Sequence, residues 1–271
     1  MKLKELPSSL WRSWQLARAN ATALDNIKAP PIPVIVSFTS IPTRLPTLHL
    51  VVRSLLTQTR RPERILLWLH QDLASQIPPK LAQLVGERFE IRYVDKTTSY
   101  RKLVHSLAEY PEKVIVTCDD DIMYQPNWLE SLWEDHLAFP QDVIAHECRE
   151  IRYHNGVLAH YKEWNNQSQP GVCSRWIMPI GYGGVLYPPK ALHQDVQNES
   201  LFMQLAPRAD DLWFKAMSHL QGTTSRRSRR PVAKPIPIAG SQKVSLKKTN
   251  VRENGNFDQW QAICQHYNIQ G

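Results

Sequence analysis

The chain has 271 residues, of which 42% are apolar and 21% charged, with 10 glycines and 20 prolines. This composition excludes a disordered or collagen-like chain and allows one large domain or two small ones, with a substantial core. Lys and Arg outnumber Asp and Glu by 33 to 25, which gives a net charge of +8. The excess favours an anionic partner, such as a nucleotide, phosphate, acidic lipid or nucleic acid, without choosing among them.

The cysteines and the hydropathy pattern indicate the cellular compartment in which the protein is expected. Cys118, Cys148, Cys173 and Cys264 lie far apart and form no C-x-x-C pair, so neither a disulfide framework nor a zinc site is expected. No uncharged stretch reaches the ~18 residues of a membrane span, and Met1–Leu24 lacks the apolar block of a signal peptide. We therefore expect a cytoplasmic protein without an integral membrane span.

A helix is predicted near the N-terminus, over Ser8–Leu24, with Ser8 or Ser9 as its N-cap. Its apolar residues recur at helical spacing: Leu10, Trp14, Ala17, Ala21 and Leu24. This helix could pack on the body of the protein, or it could lie on a membrane surface through its tryptophans. Residues 1–30 are assigned to this helix and residues 31–271 to a single domain.

Apolar runs alternate with helical patterns between residues 30 and 120. The predicted strands are Val34–Ser40, Arg64–His70, Phe89–Asp95 and Lys113–Cys118, and the predicted helices are Thr47–Thr59, Leu81–Val85 and Ser99–Glu109. This alternation predicts an α/β fold with a wound, mainly parallel sheet flanked by helices. In such sheets ligands bind beyond the carboxyl ends of the strands, which is where Thr39–Arg44 and Asp119–Asp121 fall.

The second half of the chain is less regular. Its predicted elements are a hairpin of Val143–Arg152 with Gly156–Tyr161, a helix over Ala209–Leu220 and a strand over Lys234–Ile238. The arginine-rich segment Thr223–Pro231 is predicted to be a loop. That loop could clamp a diphosphate, bind an acidic lipid or a charged glycan, or simply be solvated.

Three consecutive carboxylates, Asp119–Asp121, follow a buried strand. Such carboxylates repel one another and lose hydration at a strand end, so they need a compensating charge. Mg²⁺ or Mn²⁺ takes oxygen ligands and commonly joins one or two carboxylates to substrate phosphates. In extended chain Asp119 and Asp121 point to the same side, so both could face one pocket. The alternative is an acidic turn that merely closes the strand.

The buried strand that runs into Asp119–Asp121 resembles the D-x-D motif of GT-A-fold, nucleotide-sugar-dependent glycosyltransferases of the family-2-like group. Other segments resemble that group in the expected order: Val34–Thr39 with Ile41–Arg44, Leu48–Gln58 with Arg61–Ile65, Tyr100–Leu103, Gly181–Gly184 and Ala209–Phe214. The resemblance covers about residues 32–220. It implies a GT-A-type fold with a Rossmann-like nucleotide-binding half, about 32–125, and an acceptor half with the C-terminal segment, about 126–271.

The resemblance also implies roles on the donor side. Asp121 would ligate Mn²⁺ or Mg²⁺ at the donor diphosphate, and Asp119 would contact the ribose or share the metal. Asp120 belongs to the same donor-binding group but would point away and act structurally. The further donor contacts would be Ser37, Thr39, Arg44 and Lys102. The two hydroxyls could instead satisfy local backbone, and the two cations could be ordinary surface residues.

On the acceptor side, the resemblance makes Asp211 the general base for an acceptor hydroxyl and gives Asp210 a supporting role. The group usually has a Glu before the second acid where this chain has Asp210, so which of the two is the base stays open. Both could instead cap the helix that they begin. If Asp211 is the base, attack is in line and the anomeric configuration inverts, although retention stays open.

The implied partners are a nucleotide-sugar donor and a glycan or lipid-linked acceptor, as in surface polysaccharide synthesis, with peripheral contact to the inner face of the membrane left open. A sugar nucleotidyltransferase is the alternative enzyme, but it normally needs a glycine-rich loop, and Ser37–Arg44 contains no glycine. A basic nucleic-acid-binding module built on Arg226–Arg230 is a further alternative. It is disfavoured because no nucleic-acid-binding motif is seen and three aspartates without a bound metal ion would repel phosphate. Donor sugar, base, acceptor, linkage and oligomeric state are left open.

Overall fold

The structure is a computed structural model, and it describes residues 5–18, 30–230, 232–241 and 254–271. The helices are α1 Leu6–Arg18, α2 Leu48–Leu56, α3 Pro79–Ala82, α4 Arg101–Glu109, α5 Trp128–Ala138, α6 Glu199–Leu205, α7 Asp210–Leu220 and α8 Gly255–Tyr267. The longer strands are β1 Ile32–Thr39, β2 Pro62–His70, β3 Phe89–Val94 and β4 Val114–Thr117. The shorter strands are β5 Ile122–Met123, β6 Val143–Ala145, β7 Cys148–Glu150, β8 Tyr153–His154, β9 Val157–Leu158, β10 Asn166–Gln167, β11 Cys173–Ser174, β12 Ile177–Pro179, β13 Val185–Tyr187, β14 Ser225–Arg227 and β15 Ile236–Pro237.

The chain divides into two units. The first comprises Met1–Glu134 and Val232–Val244, and the second comprises Asp135–Pro231 and Ser245–Gly271. Helix α1 covers the first part of the predicted N-terminal helix, while residues 19–24 of that prediction lie outside the described residues. No helix in the described part of the chain is long and apolar enough to cross a membrane.

In the first unit β4, β1, β2 and β3 lie side by side in this order, and every neighbouring pair is parallel. Strands buried on both faces need continuous apolar side chains, and β1 and β4 supply them with Val34, Ile35 and Val36 beside Val114 and Ile115. The predicted α/β fold with a mainly parallel sheet is confirmed here. The carboxyl ends of β1 and β4 are adjacent, because Ser37 pairs with Thr117.

The segment after β4 is held from two sides within the first unit. Strand β15 pairs antiparallel with β5, so that Ile236 faces Met123. From the other side, the buried amide of Gln58 donates to the carbonyl of Gln125, and its oxygen accepts from the amide of Leu129. The chain that follows the three aspartates is therefore fixed by backbone pairing and by one buried side chain.

In the second unit β14 lies between β6, with which it is parallel, and β11, with which it is antiparallel, while β13 pairs antiparallel with β6. Strands β10, β7 and β12 form a small antiparallel sheet. The predicted hairpin is only partly right, because β8 pairs with β9, whereas β6 and β7, which lie in its predicted first strand, pair with other strands. Asn155 and Gly156 between β8 and β9 both have positive φ, at 51° and 79°. Those angles are typical of a tight hairpin turn, where Asn-Gly is the preferred pair.

The arginine-rich segment is not the loop that was predicted. Residues Ser225–Arg227 form β14, and the guanidinium of Arg226 donates to Asp142 at 2.7 Å. Arg229 bonds to the buried carboxylate of Asp135 at 2.9 Å. The error arose because four arginines in five residues indicate solvent exposure, whereas two of them, Arg226 and Arg229, pair here with acids distant in the sequence. Pro231, the end of that predicted loop, lies outside the described residues.

Replacing Lys215 with Met should stabilise the protein near neutral pH. Lys215 on α7 is only 1% exposed, donates to Ser225 Oγ at 2.9 Å, and has its pKa lowered by burial from 10.5 to about 7. The unfolded chain therefore binds a proton more tightly than the folded chain, and stability rises as the pH rises from about 7 towards 10. The methionine removes this cost, less the lost hydrogen bond, so we expect a gain of ~2 kcal/mol at neutral pH.

Urea unfolding of Lys215→Met and of the unaltered chain across that range measures the effect. The matched control is Lys162→Met, because Lys162 is exposed in the same unit. The gain should shrink as the pH approaches about 10, where the unfolded lysine also loses its proton. A stability difference that does not change with pH would contradict a neutral buried amine.

Candidate functional site

The predicted site residues fall in both units, with the residues from Ser37 to Asp121 in the first and Asp210 and Asp211 in the second. The amide of Cys118 still bonds to the carbonyl of Ser37, at 3.2 Å, so the sheet continues to the residue before Asp119. The three aspartates thus begin where the parallel sheet ends. Their side chains differ in exposure: that of Asp120 is 6% exposed, that of Asp121 16% and that of Asp119 34%.

Asp120 points inward and ties two strand ends together. Its carboxylate accepts a hydrogen bond from Ser40 Oγ at 2.5 Å and forms a close ion pair with Arg44. Arg44 lies on a 3₁₀ turn, Pro42–Thr47, that follows β1. Burial raises the pKa of Asp120, while the charge of Arg44 and the bond from Ser40 oppose that rise. These contacts agree with the structural role expected for Asp120.

Asp121 is a partly buried carboxylate that shares its cationic partner with Asp120. Its carboxylate lies 3.2 Å from the guanidinium of Arg44, which it shares with Asp120. Burial raises the pKa of Asp121 to about 6, with a smaller rise from the two neighbouring aspartates, and Arg44 opposes the change. The carbonyl of Asp121 accepts from the amide of Ile238 at 2.9 Å and from Ser241 Oγ at 3.1 Å. The backbone is thus held while the carboxylate titrates near neutral pH.

Lys102 lies beside the remaining carboxylate. Its ammonium, 7% exposed, is 3.3 Å from Asp119 Oδ1. The amide of Asp119 donates to the hydroxyl of Tyr124 at 2.8 Å, which fixes the backbone at this residue. The structure therefore brings together Arg44, Lys102 and the three aspartates, all of which the sequence had marked.

The two predicted hydroxyl ligands lie within the sheet. Ser37 is fully buried, its Oγ is 2.7 Å from Ser106 Oγ, and it receives a hydrogen bond from the indole of Trp68 at 3.1 Å. Thr39 donates to the carbonyl of Trp68 at 2.8 Å. Thr39 thus pairs with a backbone carbonyl and Ser37 with two side chains, all distant in the sequence, and the donor contacts of both residues stay predictions.

Arg101 was missed as a site residue. It is 3% exposed, and its guanidinium donates to the carbonyl of Ser40 at 3.2 Å and to that of Thr98 at 3.1 Å. Its Nη1 has no hydrogen-bond partner in the described part of the chain. Burial lowers the pKa of Arg101, and the charge of Asp120 opposes this. Tyr100–Leu103 had been singled out and its helix predicted, but the sequence did not show that Arg101 points inward together with Lys102.

The donor set suits a hard divalent cation that a substrate helps to bind. Asp119 and Asp121 offer carboxylate oxygens two residues apart, and Mg²⁺ often takes one or two carboxylates together with substrate phosphates. Among the residues that the structure describes, no group of three or more His, Cys, Asp or Glu could hold a metal ion without such help. The residues therefore fit a cation bound with a diphosphate better than a permanent metal centre.

In the second unit Asp210 and Asp211 begin helix α7, as predicted. Asp210 is 9% exposed, while Asp211 is half-buried and accepts a hydrogen bond from the amide of Gly181 at 3.0 Å. Acidic side chains are favourable in the first turn of a helix, because the helix dipole places partial positive charge there. Gly183 has no room for a side chain, because a Cβ would lie 2.8 Å from the Cβ of Glu147. Asp211 and the glycine loop are therefore in direct contact.

Tryptophan rings can stack on sugars, but most tryptophans in the second unit are in the core. Trp164 and Trp213 are 1% and 0% exposed, which leaves no ring face for a ligand. Trp176 is half-buried, but its ring packs against His219 at 5.1 Å and Arg175 at 4.6 Å. Stacking on a sugar by these rings is not supported.

No protein-family model and no curated protein matches the chain. Among solved structures it is similar to CMP:2-keto-3-deoxy-manno-octonic acid synthetase complexed with CTP, at 14% identity and a TM-score of 0.42, over 77% of this chain and 92% of that one. It is also similar to S. aureus TarS 1–349 in complex with UDP, at 11% identity and a TM-score of 0.47, over 75% of this chain and 59% of that one.

A third similar structure is glucosyl-3-phosphoglycerate synthase from Mycobacterium tuberculosis in complex with Mn²⁺, uridine diphosphate and phosphoglyceric acid. The identity is 15% and the TM-score 0.33, over 46% of each chain. The match thus spans less than two thirds of the TarS and synthase chains. At these identities and scores the likenesses carry no conclusion about activity, and the fold class rests on the sheet described above.

Asp121→Asn should stabilise the metal-free protein above about pH 6 and leave it little changed near pH 4. The folded carboxyl has its pKa raised from 3.8 to about 6. The folded state therefore holds the proton more tightly than the unfolded state, and stability falls as the pH rises through about 4 to 6. The amide cannot ionise, so we expect ~2 kcal/mol of added stability at about pH 8.

Urea unfolding in EDTA at both pH values measures this difference. The control Asp72→Asn removes a carboxylate whose side chain is 77% exposed and should change neither value. A loss of stability in Asp121→Asn at the higher pH would contradict the view that the ionised carboxylate is held at a cost.

Proposed function

We propose that this chain is a metal-dependent glycosyltransferase that moves a sugar from a nucleotide-sugar donor to a hydroxyl of a glycan or lipid-linked acceptor. The observation that carries the proposal is the group of three carboxylates at the end of β4 with Arg44, Arg101 and Lys102 around it. Carboxylates that can hold a divalent cation, together with cations that can face phosphate, match a metal-bound diphosphate. Asp121 also differs from a buried structural acid in access, because 16% of its side chain is exposed although burial raises its pKa to about 6.

On the donor side, Asp121 and Asp119 would hold Mg²⁺ or Mn²⁺. When bound, the cation supplies charge neutralisation for the departing diphosphate. Asp120 fixes Arg44, which is then positioned to share its charge between Asp121 and a phosphate. The Nη1 of Arg101 has no hydrogen-bond partner within the described residues, but it is buried, so an anion would reach it only after local opening.

On the acceptor side, Asp211 is the proposed general base, and Asp210 the proposed supporting acid. Asp211 has its orientation set by the amide of Gly181, and it is less buried than Asp210, so it is better able to meet a hydroxyl. Asp211 removes the proton of the acceptor hydroxyl, and the acceptor oxygen attacks the anomeric carbon of the donor sugar. The bond between that carbon and the diphosphate oxygen breaks, and its electron pair leaves with the diphosphate. In-line attack of this kind inverts the anomeric configuration.

The loop after β1 favours glycosyl transfer over nucleotidyl transfer. A nucleotidyltransferase needs backbone amides that wrap a triphosphate, which usually requires glycines. Here the segment Ser40–Thr47 has no glycine and contains Pro42 and Pro46, which lack an amide hydrogen. The positive charge that could face a phosphate therefore comes from side chains and not from backbone amides.

The first experiment is donor binding and slow donor hydrolysis across UDP-, GDP-, CMP- and dTDP-sugars, with Mn²⁺, with Mg²⁺ and with EDTA. One donor should bind in a metal-dependent way, and Asp121→Ala should lose at least about tenfold in affinity because a metal ligand is gone. Asp72→Ala, which removes an exposed acid of the same unit, is the matched control.

Absence of metal-dependent binding to every donor, from a folded protein, would refute the donor site. The alternative enzyme is tested by offering nucleoside triphosphates with sugars and measuring pyrophosphate. Pyrophosphate release that requires Asp121 would show nucleotidyl transfer at these carboxylates. The proposed glycosyl transfer would then be wrong.

Once an acceptor is found, Asp211→Asn tests the base. We expect kcat to fall ~10²–10⁴-fold, because the amide cannot accept the hydroxyl proton. Donor affinity should stay unchanged, since Asp211 is not among the proposed donor ligands. Asp210→Asn should cost less, and Asp258→Asn, which alters an exposed acid on α8, should cost nothing. A larger loss in Asp210→Asn than in Asp211→Asn would transfer the role of base to Asp210.

A further inference from the structure

Helix α1 is anchored to the first unit by one face. Ser9 and Leu16 on that face are buried. The guanidinium of Arg53 on α2 donates to the carbonyl of Leu16 at 3.3 Å, and Ser13 Oγ lies 3.7 Å from the sulfur of Met123. The opposite face of α1 consequently points away from the unit that holds the helix.

That outer face is aromatic. Leu10, Trp11 and Trp14 are 56%, 60% and 49% exposed, and they are among the most exposed large apolar residues described. The rings of Trp11 and Trp14 stack with centroids 5.1 Å apart, and the guanidinium of Arg18 lies 4.7 Å from the ring of Trp14. Residues three and four apart share one side of a helix. Such an exposed apolar group needs a partner, since water solvates it poorly.

The charges beside this face are almost all positive. Arg18 lies on this face, and the helix has no acidic residue between Leu6 and Arg18. Arg12 is half-buried and does not belong to the exposed face. In the sequence just before it, Lys2 and Lys4 accompany one acid, Glu5. A partner with negative charge and an apolar layer beneath it therefore complements both properties.

We propose that this face of α1, made of Leu10, Trp11, Trp14 and Arg18, docks the protein on the surface of a bilayer rich in anionic phospholipid. Tryptophan prefers the boundary between headgroups and acyl chains, because its ring is apolar and its N–H is polar. Basic residues beside it gain from the negative surface potential of anionic lipids. The helix would lie in the plane of that boundary, as amphipathic surface helices do. This inference goes beyond the proposed activity and does not depend on it.

A bilayer is favoured over a protein partner because the stacked tryptophans lie beside Arg18 and because the helix has no acidic residue. A protein surface of fixed shape would be expected to meet a mixed polar rim with charges of both signs. The face also remains available while α1 stays packed on α2, so no unfolding is needed for docking.

The test is flotation of the whole protein with vesicles of phosphatidylcholine alone and of phosphatidylcholine mixed with phosphatidylglycerol. We expect binding to the anionic vesicles only, and a loss of at least about tenfold in the double variant Trp11→Ser/Trp14→Ser. The control Leu137→Ser/Val157→Ser removes two apolar side chains that are 64% and 69% exposed elsewhere, and it should bind as before. Melting temperatures show that the variants are folded.

A second variant, Arg18→Gln, separates charge from apolar contact. It should weaken binding to anionic vesicles several-fold and reduce the sensitivity of binding to salt. Absence of vesicle binding by the folded protein would overturn the inference, as would binding that Trp11→Ser/Trp14→Ser leaves unchanged. Self-association in the absence of lipid that the same variant abolishes would also overturn it, in favour of a second copy of the chain as the occupant.

Discussion

The arrangement of the first unit depends on how the buried charge of Asp120 is compensated. The ion pair with Arg44 and the hydrogen bond from Ser40 connect the chain after β1 to the chain after β4. Removal of one member of a buried pair typically costs about 3–5 kcal/mol, because the other charge is left without a partner. The same pair brings Arg44 within 3.2 Å of Asp121. The contact that closes the strand ends is therefore also the contact that prepares the proposed donor site.

The second unit uses its positive charge differently. Arg226 and Arg229 are neutralised by Asp142 and Asp135, and both guanidinium groups lie over the ring of Phe139, at 3.6 and 4.7 Å. Cations held in this way contribute to packing, and their charge is largely balanced inside the unit. A net charge of +8 is thus a poor guide to where an anion binds. Local balance between acids and bases locates a site better than the total does.

The sequence predicted an element well where the residues of that element allow only one structure. The parallel strands β1 and β4 were predictable because their apolar runs have no polar face, and α7 because acids mark its start. Short strands such as β14 form because they pair with strands that are remote in the sequence. Their own residues show a charged segment and give no sign of that pairing. Within the site the residue types were predictable, but the directions of Ser37 and Arg101 were not, since each depends on the register of a neighbouring element.

Asp121 and Lys215 show why burial alone does not identify function. Both are ionisable groups whose pKa is moved towards neutrality by burial, to about 6 and about 7. Lys215 donates to Ser225 deep in the second unit and is 1% exposed, so no ligand can reach it without local opening. Asp121 keeps 16% of its side chain exposed, shares Arg44 and adjoins Asp119, which is more exposed still. A destabilised charge that solvent can reach, next to others of the same sign, is one that a bound cation could stabilise. That difference in access is why the proposed function rests on the aspartates and not on the buried lysine.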